Sequence, residues 1–226
     1  MEIKLINVEF SYDGVQILKD LSLDLNPGNF ISVIGQTGSG KTTLLNIIGG
    51  LLLPEKGHVY YNGKPNHKNF LYWTNKELRT KIRMLGQNPV LFSELNVEEN
   101  IMLPSLIHCK NLEKVKQEKD KLLDLFGLKK KRFFKPTKLS GGEIQKVAFI
   151  RTILTPGEVL LLDEPLNNLD RYSMEVVKKI IKDIHISGVT IALTTHNAEL
   201  VEEADYVFIL KETKLFPFSS KNHRLP

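Results

Sequence analysis

Eight consecutive residues, Gly35-Gln36-Thr37-Gly38-Ser39-Gly40-Lys41-Thr42, spell G-x-x-x-x-G-K-T directly after a short apolar run, Phe30 to Ile34. The pattern needs a buried strand to enter, a curled loop, and a helix to leave. Glycines let successive backbone N–H groups point inward at phosphate oxygens. The helix after the loop adds the positive end of its dipole. Lys41 would then bridge the β- and γ-phosphates, and the Thr42 hydroxyl would ligate Mg²⁺. A random chain of this length matches the pattern on the order of one time in a hundred, and the flanking strand and helix lower that further.

The remaining pattern is of the same class. Ile3, Leu5 and Ile6, and Leu21, Leu23 and Leu25, alternate with polar residues, and Tyr60-Tyr61-Asn62-Gly63 carries a hairpin-turn signal. Lys41 to Leu53 has helical length and ends at Pro54. Val159 to Leu162, Thr190 to Leu193 and Tyr206 to Leu210 read as short buried strands, separated by helical patterns at Gly142 to Leu154 and Arg171 to Ser187. Strands alternating with helices predict an α/β core with a mostly parallel sheet. The N-terminal hairpins and a Lys-rich helical middle are additions to it.

The chain has 226 residues, 42% hydrophobic and 25% charged, which predicts a globular protein with one sizeable core. Its one cysteine, Cys109, excludes an internal disulfide and predicts a reducing compartment. No apolar run reaches the roughly 20 residues needed to span a bilayer, and the first residues lack a signal-peptide pattern. The net charge of +5 is uneven: Lys110 to Lys138 holds 11 basic and 4 acidic side chains. Such a segment reads either as a solvated helical face, with Leu112, Val115, Leu122, Leu123 and Phe126 at near-helical spacing, or as a basic patch for nucleic acid or an anionic lipid surface.

Val159-Leu160-Leu161-Leu162-Asp163-Glu164 is an apolar strand ending in two carboxylates. A parallel sheet presents its ligand site at the carboxyl ends of its strands, so Asp163 can hold Mg²⁺ and Glu164 can orient or deprotonate a water. His196 closes another such strand and is a candidate γ-phosphate contact. Gln87 follows the run Ile82 to Leu85 and could reach the metal or the water through its amide. Spacing alone leaves a structural role open for both.

Leu139-Ser140-Gly141-Gly142-Glu143 resembles the signature of ATP-binding cassette (ABC) ATPases. The phosphate loop, Gln87, the signature, Asp163-Glu164, Asn168-Leu169-Asp170 and His196 stand in that family's order over about residues 1–210. The resemblance implies a P-loop NTPase core, an N-terminal antiparallel β subdomain and an inserted α-helical subdomain. It divides one ABC domain into a core of about 1–87 and 157–226 and a helical subdomain of about 88–156.

ATP and Mg²⁺ are the implied ligands. Nucleotide contacts would fall on Tyr12, Gly35, Gln36, Thr37, Gly38, Ser39, Gly40, Lys41, Thr42 and Thr43, and Tyr12 would stack on adenine. A second copy, head to tail, would contribute Ser140, Gly141, Gly142 and Asp170. Glu164, His196, Gln87 and Lys41 would act in hydrolysis, and Thr42, Gln87 and Asp163 would hold the metal. A polytopic transmembrane subunit at the cytoplasmic face of the cell membrane is the implied partner, docking near Val90, Leu91, Phe92 and Leu95.

Within the family the chain looks like the bacterial lipoprotein-release, macrolide-export and cell-division group, through Leu44 to Leu51 and Glu99 to Pro104. It departs at Leu166-Asn167, Ile144 and Lys146, and at Lys211 to Lys214, which lacks the usual glycine turn. The competing class is an ABC ATPase acting on nucleic acid or ribosomes through its basic middle. The single cassette, and the spacing of about 100 residues between Lys41 and Ser140, disfavour it, so nucleic acid is not the expected partner.

Overall fold

The structure is a computed structural model that describes residues 1–66, 76–108, 111–155 and 157–218. Cys109 and Lys110, used above, lie outside the described residues. In chain order the elements begin with β1 (Ile3–Tyr12), β2 (Val15–Leu25), β3 (Phe30–Ile34), α1 (Lys41–Ile48), β4 (Lys56–Tyr61) and β5 (Lys64–Pro65). They continue with α2 (Lys76–Lys81), β6 (Ile82–Leu85), α3 (Val97–His108), α4 (Leu112–Leu125), α5 (Gly141–Ile153) and β7 (Val159–Asp163). The last are α6 (Arg171–Ile186), β8 (Thr190–Thr194), α7 (Ala198–Glu202), β9 (Tyr206–Lys211) and β10 (Lys214–Pro217). Short 3₁₀ turns at Lys129–Lys131 and Pro136–Lys138 precede α5.

Two sheets form, as the fold class predicts. One is antiparallel, in the order β2-β1-β4-β5; the other runs β10-β9-β3-β8-β7-β6. In the second, β9, β3, β8 and β7 pair in parallel, and β10 returns antiparallel along β9. β3, β7 and β8 are buried almost throughout, as strands covered on both faces must be.

The chain divides into two compact units. The first comprises Met1–Met84, Gly157–Glu164 and Lys182–Pro226; the second comprises Leu85–Pro156 and Pro165–Ile181. In the first, Ile3, Leu5, Leu23 and Leu25 share one core with Leu44, Leu45, Ile47, Val33 and Leu161. Each such side chain contributes about 1.5–3 kcal/mol when fully buried. α1 stops at Ile48, short of the expected Leu53. The Leu51 N–H turns back to the Asn46 carbonyl, and the buried Tyr61 hydroxyl donates to the carbonyls of Ile47 and Ile48. The helix end is thereby satisfied and tied to β4. Burial pushes the Tyr61 phenol well above its ordinary pKa, so it stays a donor.

The second unit is helical. α3 packs against α4 and α5, with Ile101, Leu122, Leu123, Phe126, Val147, Phe149 and Ile150 buried. Two polar groups organise it. The buried Asn100 amide donates to the carbonyls of Phe92, Leu95 and Asn96, and its oxygen accepts the Phe92 N–H at 2.8 Å. Glu98 receives Arg132 in a two-pronged pair at 2.7 and 2.8 Å and also receives the buried Lys119.

Two outcomes follow from this architecture. The Arg132 guanidinium, with Lys119 beside it, holds the Glu98 carboxyl down at about 2 from an ordinary 4.5. Its folded-state pKa lies below the unfolded one, so the stabilisation is complete above about pH 4.5 and is lost as pH falls toward 2. Urea unfolding of Glu98→Gln should show a weaker stability than the parent at neutral pH and a flatter dependence across that window. Equal slopes would remove the pair from the acid response. The β9–β10 turn, in turn, places Glu212 and Thr213 at φ 49° and 67° without a glycine. The left-handed region costs a β-branched residue roughly 1–2 kcal/mol, and glycine's extra chain entropy offsets part of the relief. Thr213→Gly should therefore stabilise by about 1 kcal/mol or slightly less, raising Tm by about 2–4 °C in calorimetry.

Candidate functional site

β3 delivers the chain to the Gly35–Gly40 loop, and α1 opens at Lys41. Gly40 has φ 104°, and a Cβ there would lie 2.7 Å from Ile17 Cγ2, so only glycine fits. The Lys41 ammonium is buried and donates to the carbonyls of Gly35 (2.6 Å) and Gln36 (3.0 Å). Burial lowers its pKa, and the carboxylates of Glu164 and Asp163 partly offset that. Inside the loop the Ser39 hydroxyl is buried with no protein hydrogen-bond partner among the described residues. A buried polar orphan in a glycine-rich loop beside a buried ammonium is what a phosphate oxygen satisfies.

Beside the loop lies an open cleft of about 630 Å³, a volume suited to a nucleotide. Its walls are Val15, Gln16 and Ile17 from β2, Gly35 to Ser39, and Ile209 to Thr213. Tyr12 is not among the residues lining it. Its half-exposed ring packs edge-on against Phe10 at 4.9 Å, and its backbone pairs with Val15, which does line the cleft.

The strand register brings the carboxylates to the loop. Asp163 on β7 pairs with Thr194 on β8, and β3 is the next strand over. The buried Asp163 accepts the Thr42 hydroxyl on Oδ2 at 2.6 Å and the Thr194 hydroxyl on Oδ1 at 2.5 Å. Thr42 and Asp163 thus present hard oxygen donors side by side, the chemistry that Mg²⁺ selects. No cluster of three or more His, Cys, Asp or Glu suited to a metal occurs among the described residues. A metal here would draw its remaining ligands from water and phosphate, as Mg²⁺ commonly does.

Glu164 adopts φ 49°, unusual for a non-glycine residue, and its N–H is fixed by the Thr194 carbonyl and hydroxyl, each at 3.1 Å. That conformation carries the buried carboxylate to His196, whose Nε2 lies 3.0 Å from Glu164 Oε1. Burial raises the Glu164 pKa, with the His196 and Lys41 charges pulling the other way. Thr194 was not legible as a site residue. Its only sequence signal is that it stands two places before His196 at a strand end.

The second unit holds the remaining candidates. Ser140 caps α5: its hydroxyl accepts the Glu143 N–H at 3.3 Å, and its own N–H donates to Glu143 at 3.0 Å. Gly141 and Gly142 form the first turn. A Cβ on Gly142 would meet the Asn168 carbonyl oxygen at 2.5 Å, so the Leu166 to Asp170 segment closes on this helix only over glycine. Glu143 is paired with Lys131 at 2.5 Å. Asp170 caps α6 through Ser173 and receives Lys146 at 2.7 Å, and Lys146 above all holds its carboxyl well below the usual range. Gln87 is exposed in this unit, two residues beyond β6. Thus Gly35 to Thr43, Asp163, Glu164 and His196 are brought together in one unit, and Ser140 to Gly142 and Asp170 in the other.

The family model described as "ABC transporter" matches residues 18–167. The macrolide export ATP-binding/permease protein MacB of Mannheimia succiniciproducens is 33% identical over 224 residues, 98% of this chain and 35% of the relative. MacB of Campylobacter jejuni is 37% identical over 205 residues, 91% of this chain and 32% of the relative. The chain therefore spans about a third of the length of these curated relatives. Among solved structures, the dimeric post-hydrolysis state of the ATP-binding cassette MJ0796 bound to ADP and Pi superimposes with a TM-score of 0.85 at 27% identity. It covers 96% of this chain and 99% of that one. With the family model spanning most of the chain and agreeing with the phosphate loop, the paired carboxylates and the capped signature helix, this chain belongs to the ABC transporter family.

Proposed function

We propose that the chain is the ATP-hydrolysing subunit of an ABC transporter, driving a transmembrane partner from the cytoplasmic membrane face by ATP-dependent, head-to-tail pairing of two copies. It works as a single ABC domain with a helical subdomain at about 88–156. The observation that carries the reading is the convergence of Lys41, Thr42, Asp163, Glu164 and His196 at one end of the parallel sheet. The name of the MacB relatives joins ATP binding to a permease, which supports a permease partner, on another chain or further along the same one. The dimeric, ADP- and Pi-bound neighbour supports pairing and hydrolysis.

ATP enters along the cleft with its phosphates in Gly35 to Thr43. Lys41 trades the Gly35 and Gln36 carbonyls for β- and γ-phosphate oxygens, and the Ser39 hydroxyl gains an acceptor. Thr42 and Asp163 would hold Mg²⁺, which would neutralise phosphate charge when bound. Glu164 takes a proton from the attacking water. Its raised pKa improves the match to neutral-pH proton transfer, and His196 orients it. Tyr12 stacks on adenine beside the Val15 wall of the cleft.

From the second copy, Ser140 and the N–H groups of Gly141 and Gly142 meet the γ-phosphate at the positive end of α5. The Lys131–Glu143 pair cancels a carboxylate that would otherwise oppose the anion at that helix start. Asp170, fastened to α5 by Lys146, couples the two sites.

General-base catalysis contributes typically about 10²–10⁴-fold, so Glu164→Gln should lose turnover on that scale while binding ATP and accumulating an ATP-bound dimer on sizing. Lys41→Ala should lose nucleotide affinity instead. Phosphate release near the parent rate from Glu164→Gln would end the assignment.

The partner is read by Phe92. Asn100 clamps the Phe92 to Asn96 turn so that Leu91 is buried while Phe92 and Val90 are 56% and 80% exposed. Phe92→Ala should weaken co-purification with the membrane subunit by about 2 kcal/mol or more, leaving isolated ATPase activity and Tm unchanged. A drop in Tm with undiminished partner binding would return Phe92 to a packing role.

A further inference from the structure

The segment Lys129 to Lys138, KKKRFFKPTK, has six basic side chains and no acidic one. Its backbone is fixed. The carbonyls of Arg132 and Phe134 accept the N–H groups of Glu98 and Val97, Arg132 grips Glu98, and the Lys135 ammonium donates to the Glu94 carbonyl. Held this way, the turn displays Phe133 at 72% exposure and Phe134 at 40%. Two of the six cations are engaged by partly buried carboxylates, Arg132 by Glu98 and Lys131 by Glu143. Lys129 meets Asp124 only in an exposed pair at 3.5 Å, of small value. Lys130, Lys135 and Lys138 have no carboxylate partner among the described residues. A turn with a fixed backbone that holds an aromatic ring in water, and carries at 130, 135 and 138 lysines without carboxylate partners, suits a surface that is anionic outside and apolar beneath.

We propose that this turn docks on the anionic headgroups of a lipid bilayer, with Phe133 inserted at the headgroup–acyl boundary and Lys130, Lys135 and Lys138 over the phosphates. Charge complementarity names the occupant: each lysine near such a surface adds attraction, and an apolar side chain supplies the second signal that stable peripheral binding needs. Nucleic acid fits less well. Arg132 already lies over the Phe133 ring at 5.2 Å and Lys138 over the Phe134 ring at 5.8 Å. Stacking of bases needs open ring faces, whereas insertion into lipid does not. The proposal is independent of the catalytic assignments, since none of Lys130, Phe133, Lys135 and Lys138 is given a part in ATP hydrolysis.

Flotation of the full chain with phosphatidylcholine vesicles, with and without phosphatidylserine, tests it. Binding is expected only with phosphatidylserine and should weaken as salt rises. Lys130→Gln and Lys138→Gln should each lower partitioning about fivefold, and Phe133→Ala about tenfold. ATPase rate and thermal unfolding should stay at parent values in all three, as expected for exposed positions. Emission from Phe133→Trp should shift to the blue, relative to the parent with the same vesicles, only when phosphatidylserine is present. Equal binding to neutral vesicles, no binding, or binding untouched by these substitutions would overturn the proposal. So would retention of single-stranded RNA, lost in the same variants, without vesicle binding.

Discussion

The carboxylate of Asp163 is the point on which the first unit's chemistry turns. It is almost fully buried, yet it receives a hydroxyl on each oxygen, from Thr42 at the start of α1 and Thr194 at the end of β8. A buried carboxylate without such donors is costly, so its placement requires that both elements end beside it. The parallel register supplies one and the phosphate loop the other. Thr194 serves twice, because its carbonyl and hydroxyl also receive the Glu164 N–H and stabilise a backbone conformation that glutamate seldom adopts. One threonine therefore fixes both the Asp163 carboxylate and the backbone of the neighbouring Glu164.

The second unit meets a different constraint, the crowding of charge at a helix start. Glu143 completes the capping box of α5, which stabilises the helix but leaves a carboxylate where an anionic ligand would approach. Lys131 removes that conflict by pairing with it. Lys146, one turn further along α5, reaches Asp170 and fastens the α6 cap to the same helix. The closeness of these segments depends on Gly142, over which the Asn168 carbonyl passes. The signature run is thus a packing motif as well as a candidate anion contact.

Glu98 and Asn100 play the organising role in the helical lobe. Glu98 collects Arg132 and Lys119, so several of the basic side chains between 111 and 138 are spent internally. Three others form exposed surface pairs of small value, Lys116–Glu113, Lys121–Glu118 and Lys129–Asp124. What remains unneutralised concentrates at the turn that exposes Phe133. Asn100 acts likewise for Phe92, converting a stretch that reads as uniformly apolar into one buried residue and two displayed ones.

Much of the core was legible because it rests on local rules. The strand–loop–helix around Gly35 to Thr42, the Asn62-Gly63 hairpin, the buried strands at 159–163 and 190–194, and the helix following the signature all follow from periodicity and turn chemistry. So did the candidacy of Lys41, Thr42, Asp163 and Glu164, since their residue types announce their chemistry at the ends of buried strands. Thr194, Lys131, Lys146 and Asn100 were not legible as organising residues: the first three act across 12 to 31 residues of sequence, and Asn100 acts on turn carbonyls that only the folded loop brings to its amide. The end of α1 was likewise decided by Tyr61, not by Pro54. Sequence alone determined the main core elements and which side chains are candidates for the chemistry, because both depend on near neighbours. Tertiary structure decided which hydroxyl, ammonium and amide satisfies each buried polar group, because that depends on strand register and close packing.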